Sequence, residues 1–423
     1  MTGRDPAALL AELRQSVGQP APPALGVAVS GGSDSLALLH LLADWAGQGG
    51  PVLRAVTVDH GLRPEAGDEA RMVAATCAAL GVGHDILMWS GWDGRGNLPD
   101  RARRARYGLI AGWARGLGLG VVALGHTADD QAETFLMRLA RGSGLDGLSG
   151  MATRRRAEGI DWLRPLLGVR RYELRDMLRG RDAVWADDPS NEDEAYERVR
   201  VRHTLMALEP LGIDSGGIGD TVARLRDARD ALASAAAAHA RSIARTEAGL
   251  VVFSAPALLA LLPEFRRRLV SHALAWVASA DYRPRHDALI AAMERLGQGR
   301  STTLHGCALI QRGEEIWVAR EPGALRDTSA PADAVWDRRW RMKAPQSPDV
   351  AANALQIRRL GEEGLADCPD WRATAIPRSA LLASPAIWDG DRLVAAPHAG
   401  LARGWTPVLI GGDEGYIRSI LAH

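Results

Sequence analysis

Between residue 24 and about residue 142, short apolar runs alternate with longer amphipathic segments, and no other feature restricts the fold as much. The runs predict strands and the longer segments predict helices. The predicted strands are Leu25–Val29, Val52–Val58, His84–Met88, Val121–Leu124 and Trp162–Leu167, and the predicted helices span 34–46, 65–80, 99–116, 128–141 and 170–180. This order predicts an α/β fold with a doubly wound parallel sheet of about five strands. Ligands bind such sheets beyond the carboxyl ends of the strands.

The pattern changes after about residue 210. An alanine-rich helix is expected first, then two further helices and two apolar runs, at 221–246, 256–279, 284–297, 302–311 and 315–319. Residues 321–335 have the composition of a linker, and the remainder is expected to be small and mixed or β-rich. We therefore expect three domains, over 1–212, 213–320 and 335–423, of which the second is helical.

Lys343 is the only lysine among 51 basic residues, so arginine supplies almost all of the positive charge. The chain therefore has no GK[ST] phosphate loop and no VAIK-type kinase lysine. Three widely separated cysteines without a CxxC pair suit a reducing cytoplasm. The N-terminus lacks the apolar run of a signal peptide, and no stretch approaches the roughly 18 apolar residues of a membrane span.

The strongest local motif directly follows the first predicted strand and opens a helix: Ser30, Gly31, Gly32, Ser33, Asp34 and Ser35. Two glycines allow a tight turn that presents backbone N–H groups, and the helix N-terminus adds its positive end. Asp34 beside phosphates implies an intervening Mg²⁺ ion. The alternative is a strand–helix turn in which Ser33 or Asp34 caps the helix.

Two further motifs follow predicted strands. Asp59, in the sequence VDHGLR, ends the second strand, where an acid can meet a nucleotide or simply form a turn. In GHTADDQAET, after the fourth strand, His126, Asp130 and Glu133 place an imidazole and two carboxylates near the same sheet edge. These carboxylates can hold Mg²⁺ or accept a proton from an amine. The alternative for Asp130 is a capping box with Thr127.

The net charge of zero is a sum over strongly patterned blocks. Residues 101–115 hold five arginines and no acid, residues 154–181 hold nine arginines and four acids, and residues 187–197 hold six acids and no base. Clustered arginines suit an RNA backbone, whereas a single arginine is more often part of a solvated surface.

SGGSDS resembles the phosphate loop of the PP-loop ATP pyrophosphatases, which cleave ATP between its α and β phosphates. With VDHGLR, GHTADDQAET, RGSGLDGLSGM, RPLL and DPSNEDEAYERVRVRH in the same order, residues 24–210 resemble the tRNA(Ile)-lysidine synthase family. The resemblance implies that ATP adenylates the 2-carbonyl oxygen of the wobble cytidine in a tRNA(Ile) with a CAU anticodon. The ε-amine of free L-lysine then displaces AMP to give lysidine. Oligomeric state stays open.

The motifs, the charge placement and the resemblance together predict domain and residue roles. A PP-loop ATP-binding catalytic domain is expected over 1–212 and a tRNA-binding domain over 213–320. ATP binding falls to Ser30, Gly31, Gly32, Ser33, Asp34, Ser35 and Asp59, and Mg²⁺ to Asp34 and Glu133. Catalytic roles fall to Asp34, Arg103, Arg106, His126, Asp130, Glu133 and Arg202, and tRNA contacts to Arg104, Arg198, Arg200 and Arg202. The chain departs from the family pattern at Val199, where an Asn usually follows the first late arginine.

Three alternatives remain. A tRNA-thiolating PP-loop enzyme needs cysteines, and this chain has no CxxC pair. An amide-forming PP-loop synthetase fits poorly with the late arginines and the long C-terminal part. A non-catalytic RNA-binding protein predicts that no AMP is released under any condition.

Overall fold

The structure is a computed structural model that describes residues 4–61, 66–90, 92, 98–187, 194–345 and 355–422. Leu62 and Arg63 of the VDHGLR motif, and residues 188–193 of the acidic block, lie outside the described residues. The chain divides into two compact units, which we call the N-terminal unit (Met1–Arg229) and the C-terminal unit (Asp230–His423). No described helix combines the length and apolar character needed to cross a membrane.

The N-terminal unit is built on a sheet with strand order β3-β2-β1-β4-β6-β5 over the described residues. All neighbouring strands pair in parallel except the edge strand β5, which is antiparallel to β6. The strands are β1 (Ala24–Ala28), β2 (Val52–Asp59), β3 (Gly83–Met88), β4 (Val121–Leu124), β5 (Arg154–Ala157) and β6 (Ile160–Leu163). The predicted α/β fold is confirmed. The strand predicted at Trp162–Leu167 is β6, which begins two residues earlier and ends at Leu163, where Arg164 and Pro165 follow. The arginine-rich edge strand β5 is the strand that the apolar pattern did not predict.

Helices cover this sheet because the central strands are apolar on both faces. α2 packs into the main core with a leucine-rich face, and α1, absent from the sequence prediction, packs on it through Leu9 and Leu13. The helices are α1 (Pro6–Val17), α2 (Ser33–Gly47), α3 (Ala66–Ala79), α4 (Leu98–Gly116), α5 (Ala128–Ala140), α6 (Leu145–Leu148), α7 (Arg171–Arg179), α8 (Glu197–Leu208) and α9 (Ser215–Ile243), with a 3-10 turn at Glu209–Leu211. The division between the units falls within α9.

The C-terminal unit begins with an antiparallel sheet of order β7-β8-β11-β10-β9, against which helices pack. Its strands are β7 (Ala244–Glu247), β8 (Leu250–Ser254), β9 (Thr302–Leu304), β10 (Cys307–Arg312) and β11 (Glu315–Arg320), and its helices are α10 (Ala255–Ala260), α11 (Pro263–Ala278) and α12 (His286–Gly297). The region expected to be helical therefore also contains a sheet, and β7 and β8 occupy positions that the sequence prediction left without strands.

The last part of the chain is mixed, with two further antiparallel sheets, β12-β14-β15-β16 and β13-β17. Residues 321–335, expected to be a linker, contain β12, which pairs with β14. The elements are β12 (Ser329–Pro331), β13 (Trp340–Lys343), β14 (Gln356–Arg359), α13 (Gly361–Ala366), α14 (Arg378–Leu381), β15 (Pro385–Asp389), β16 (Arg392–Ala395), β17 (Thr406–Leu409) and α15 (Gly415–Leu421), with 3-10 turns at Pro322–Leu325, Trp371–Thr374 and Pro397–Ala399.

Candidate active site

The three predicted motifs meet at the carboxyl edge of β1, β2 and β4 because parallel strands end on the same side of a sheet. An open cleft of about 1060 Å³ lies there. Most of the predicted site residues line it: Ser30, Gly32, Ser33, Asp34, Ser35, Asp59, Arg103, Arg106, His126, Asp130, Arg198 and Arg202. Gly31 and Glu133 are not among the lining residues.

The SGGSDS loop turns sharply between β1 and α2. Gly31 adopts a φ of +90°, which disfavours any residue with a side chain. Gly32 is the N-cap of α2 and no described side chain bonds to the free N–H groups of that helix end. The Ser35 hydroxyl donates to the Gly32 carbonyl over 3.0 Å and accepts from the Ser30 N–H over 3.1 Å. The Ser35 hydroxyl therefore fixes the turn, and the free N–H groups at the start of α2 are suited to an anion.

Gly125 brings the end of β4 directly against the start of α2. A Cβ atom at Gly125 would lie 2.9 Å from the backbone of Asp34 and Ser35, closer than real Cβ contacts allow. The glycine between β4 and His126 thus permits the loop and the carboxylate motif to share one cleft. The sequence placed this glycine in the motif but did not show what it contacts.

Asp130 forms the predicted capping box and also lines the cleft. Its Oδ2 accepts the Thr127 N–H over 2.9 Å, and the Thr127 hydroxyl accepts the Asp130 N–H over 3.4 Å, which is the predicted capping box. The other oxygen, Oδ1, faces arginines at the cleft. Glu133, one turn later on α5, is 1 % exposed and is surrounded by guanidinium groups. The Asp130 side chain therefore caps α5 with one oxygen and faces the cleft with the other.

Arginines from α7 and α8 neutralise the cleft acids. Arg198 Nε donates to Glu133 Oε2 over 2.6 Å, and Arg202 Nε donates to Glu133 Oε1 over 3.0 Å. Arg171 Nε donates to Asp34 Oδ2 over 2.8 Å, and its Nη2 and Nη1 lie 3.5 and 3.7 Å from Asp130 Oδ1 and Glu133 Oε1. Three acids from two motifs thus share three arginines.

Burial and charge act differently on each titratable group. Burial raises the pKa of Asp34 even though Arg171 opposes the shift. For Asp130 burial is outweighed by Arg171, Arg198 and His126, so the pKa of that carboxyl is lowered. Burial lowers the pKa of His126 to about 3. At neutral pH the imidazole is therefore neutral and Asp130 is ionised.

The opposite wall of the cleft comes from α4. The guanidinium carbons of Arg103 and Arg106 lie 5.3 and 5.7 Å from the centroid of the Tyr107 ring. Tyr107 in turn packs edge-on against Trp162, with ring centroids 4.6 Å apart. Tyr107 therefore packs against Trp162 and contacts the guanidinium groups of Arg103 and Arg106. Both arginines line the cleft.

Comparison with known proteins follows the same division of the chain. Residues 7–209 match the family model of the PP-loop domain. A tRNA(Ile)-lysidine synthase of Ruegeria pomeroyi is 45% identical over 98% of this chain and 98% of its own. One of Hyphomonas neptunium is 41% identical over 71% of this chain and 82% of its own.

The chain belongs to the tRNA(Ile)-lysidine synthase family. The family resemblance expected from the sequence is thereby confirmed. The structure is also similar to the U34-tRNA thiolase NcsA from Methanococcus maripaludis, with a TM-score of 0.46 and 18% identity over 52% of this chain and 77% of that one.

Within this member of the family, the predicted tRNA contacts separate into two groups. Arg198 and Arg202 line the cleft and are committed to Glu133. Arg104 and Arg200 are exposed: Arg104 pairs with Asp100, and Arg200 donates to the carbonyls of Glu194 and Ala195. Val199, the departure from the family pattern, is buried at 4 % exposure, so its side chain packs and does not face the cleft.

Sequence reasoning missed two cleft residues, Arg171 and Arg175. Arg175 Nε donates to the Ser33 hydroxyl over 3.2 Å, and its Nη2 donates to Asp187 over 2.9 Å. Their spacing of four residues puts both on one face of α7, beside the phosphate loop. That spacing was available in the sequence, but nine arginines in one block offered no means of choosing among them.

Proposed function

We propose that the chain catalyses ATP-dependent formation of lysidine on tRNA(Ile). The cleft at the edge of β1, β2 and β4 carries the proposal, because it joins a loop built for phosphates to acids suited to an amine. In the first step the 2-carbonyl oxygen of the wobble cytidine attacks the α-phosphorus of ATP, and pyrophosphate leaves. In the second the ε-amine of L-lysine attacks C2 of the cytidine, AMP leaves with the former carbonyl oxygen, and the amine loses a proton.

The SGGSDS loop is proposed to hold the phosphates that leave as pyrophosphate. The first N–H groups of α2 and the Ser30 and Ser33 hydroxyls supply donors at the loop. Arg175, already bonded to Ser33, adds a positive charge beside them. Asp59 at the end of β2 lines the same cleft, with one oxygen bonded to the Gly61 N–H. Its proposed contact is therefore with the nucleoside part of ATP.

Mg²⁺ is proposed to enter with ATP. The described residues contain no group of three or more His, Cys, Asp or Glu side chains that could hold a metal on their own. Mg²⁺ commonly takes one or two carboxylates together with substrate phosphates and water, and Asp34 at the phosphate loop fits that pattern. A metal contact by Glu133 stays a prediction, because both of its oxygens accept hydrogen bonds from arginines in this structure.

Arg103 and Arg106 are proposed to meet the flipped-out wobble cytidine and the charge that develops during adenylation. Both face the cleft from α4 and are held by Tyr107. Guanidinium groups bind phosphate oxygens bidentately and keep their charge. Splayed single-stranded bases are the usual target of sequence-specific RNA recognition, and Arg104 and Arg200 are proposed to contact the surrounding backbone.

The amine is proposed to bind at Asp130 and Glu133. Free lysine is mostly protonated near neutral pH, and an ionised Asp130 attracts its ammonium group. The neutral His126 imidazole, whose Nδ1 is buried and has no partner among the described residues, can accept a hydrogen bond from the uncharged amine. Asp130 is therefore suited to the ammonium form of the lysine side chain, and His126 is suited to its uncharged amine form.

Buried cysteines argue against the thiolation alternative. Cys77, Cys307 and Cys368 are all free and buried. Burial raises the pKa of Cys77 to about 11 and that of Cys307 to about 12. A thiol in that state is a poor nucleophile, so none of the three is suited to sulfur transfer.

The decisive experiment mixes purified protein with ATP, Mg²⁺, radiolabelled L-lysine and a tRNA(Ile) transcript with a CAU anticodon. We expect AMP and pyrophosphate only when the transcript is present, and labelled tRNA only when lysine is added. A transcript with adenosine in place of the wobble cytidine is the matched control and should give neither product. AMP formation at the same rate without tRNA would rule out the proposed function. A cytoplasmic location stays a prediction.

A further inference from the structure

Three arginines on one side of the cleft differ in what they contact. Arg175 contacts the phosphate loop through Ser33 and does not contact the acids of α5 in the described structure. Arg198 contacts the α5 acids, Asp130 and Glu133. Arg171 is the one member of this trio that contacts both, because its guanidinium group reaches Asp34 of the loop as well as Asp130 and Glu133.

The backbone of Arg171 is fixed to α5. Its N–H donates to Asp129 Oδ2 over 2.6 Å, and two residues earlier the Val169 carbonyl accepts the Ala128 N–H over 2.9 Å. These bonds join the first residue of α7 to the first turn of α5. The side chain of Arg171 therefore starts from a point that cannot move independently of Asp130 and Glu133.

The guanidinium group of Arg171 is a rigid planar fork. Nε points to Asp34 and Nη2 points to Asp130, so the fork sets the separation between the loop acid and the helix acid. All three side chains are largely shielded, at 21, 17 and 13 % exposure for Arg171, Asp34 and Asp130. Ion pairs with so little solvent access are screened less than surface pairs.

We propose that Arg171 is a positioning residue that couples the ATP subsite to the lysine subsite, through its simultaneous contacts with Asp34 and the α5 carboxylates. This inference rests on the proposed function, which places ATP at the loop and lysine at Asp130 and Glu133. Arg171 fixes the distance between the two substrates. It orients Asp34 towards the phosphates of ATP, and it orients Asp130 and Glu133 towards the amine of lysine. The other two arginines each serve one subsite.

The test compares three matched substitutions in the full-length protein: Arg171→Gln, Arg175→Gln and Arg198→Gln. Each removes one charge from the same cleft wall. We expect Arg171→Gln to raise the KM for ATP and the KM for lysine by about tenfold or more each, the size expected for a lost charged hydrogen bond. Arg175→Gln should raise only the KM for ATP, and Arg198→Gln only the KM for lysine. The thermal unfolding temperature of each variant serves as a control for folding. A general loss of structure would lower that temperature and would raise the KM for ATP and the KM for lysine together in all three variants.

Arg171→Lys provides a second route if the glutamine variant is poorly folded. It keeps the charge but replaces the fork by a single ammonium group, so it should restore at most one of the two KM values. Restoration of both values, or a change in only one KM in Arg171→Gln, would overturn the coupling role. Wild-type protein that fails to attach lysine to the CAU transcript would instead contradict the proposed function, so the two failures are distinguishable.

Discussion

The two units of the molecule use buried arginine in opposite ways. In the N-terminal unit, Arg171 faces a cleft and bonds to carboxylates that belong to different motifs. In the C-terminal unit, Arg339 is 5 % exposed and donates to the carbonyls of Val277 and Gly249 over 3.0 and 2.6 Å. Its guanidinium carbon also lies 4.8 Å from the centroid of the Trp276 ring.

The main difference lies in the partners of the two guanidinium groups. Neutral carbonyls and indole rings do not change charge or move during a reaction, so Arg339 ties together parts of one unit. Carboxylates beside a phosphate loop can in addition bind a metal ion or an ammonium group. Burial lowers the pKa of Arg339 to about 10, whereas the acids around Arg171 raise its pKa. In this arginine-rich chain, the partners of each arginine therefore separate a cleft arginine, which pairs with carboxylates, from one that bonds to carbonyls and packs on indole rings.

The largest effect is expected from Asp34→Ala in the cleft. Loss of the loop carboxylate should lower tRNA-dependent AMP formation about 1,000-fold, since a charge that stabilises the transferring phosphoryl group is removed. Affinity for the CAU transcript, measured by filter binding, should stay within about twofold of wild type, because tRNA contacts are expected elsewhere.

Asp44→Ala is the matched control for this substitution. Asp44 lies on the same helix and also pairs with an arginine, Arg181, over 2.6 Å, but it does not line the cleft. It should retain AMP formation within about threefold of wild type. Normal activity of Asp34→Ala would mean that the cleft acids serve folding, as Arg339 does.

A smaller effect, on stability alone, is expected from Arg339→Met. The substitution leaves two buried carbonyls without donors, so the free energy of unfolding measured in urea should fall by about 2–4 kcal/mol. Arg341→Met, at an exposed position two residues later, should change it by less than about 0.5 kcal/mol. Folded Arg339→Met should keep the wild-type KM for ATP. A raised KM would contradict the structural role assigned to Arg339.

The smallest effect is expected from two histidines, one in each unit. Burial lowers the pKa of His126 to about 3 and that of His398 to about 4. Between pH 7.5 and 5.5 each of these histidines takes up a proton in the unfolded chain but stays neutral in the folded protein. Each should therefore lower the free energy of unfolding by about 1.4 kcal/mol as the pH falls over this range. His126→Gln and His398→Gln should each flatten this dependence in urea unfolding at the two pH values. An unchanged slope in either variant would show that the corresponding histidine is accessible to protons.

Most of the N-terminal sheet and the loop could be predicted because apolar periodicity and the SGGSDS spacing are local. β1, β2, β3 and β4 lie within about two residues of their predicted bounds. The antiparallel strand β5 was not predicted because its three consecutive arginines show no alternation of apolar and polar residues. β7 was not predicted because its residues continue the polar and alanine-rich pattern of the helix before it, so no residue type marks where that helix ends. The apolar run of β8 lies between two predicted helices and was not assigned to a strand.

The candidate site shows the same limit. His126, Asp130 and Glu133 were found because they follow a strand within one motif. Arg171 was not, because its meaning depends on Asp34, which lies 137 positions earlier in the chain. Asp130 caps α5 with one oxygen and faces an arginine of the cleft with the other, and only the structure shows the direction of that second oxygen.

By itself, the sequence determined the fold class, the lysine-free phosphate loop and the acids that end or follow the strands. Each of these depends on residue types at short spacing, which the chain carries before it folds. The tertiary structure alone decided which arginine neutralises which acid, since ion pairs form only when distant segments meet at one edge of the sheet. It also decided that Arg339 bonds to backbone carbonyls and that Arg171 contacts both the loop acid and the α5 acids, because the partners of a guanidinium group depend on the fold and not on residue type.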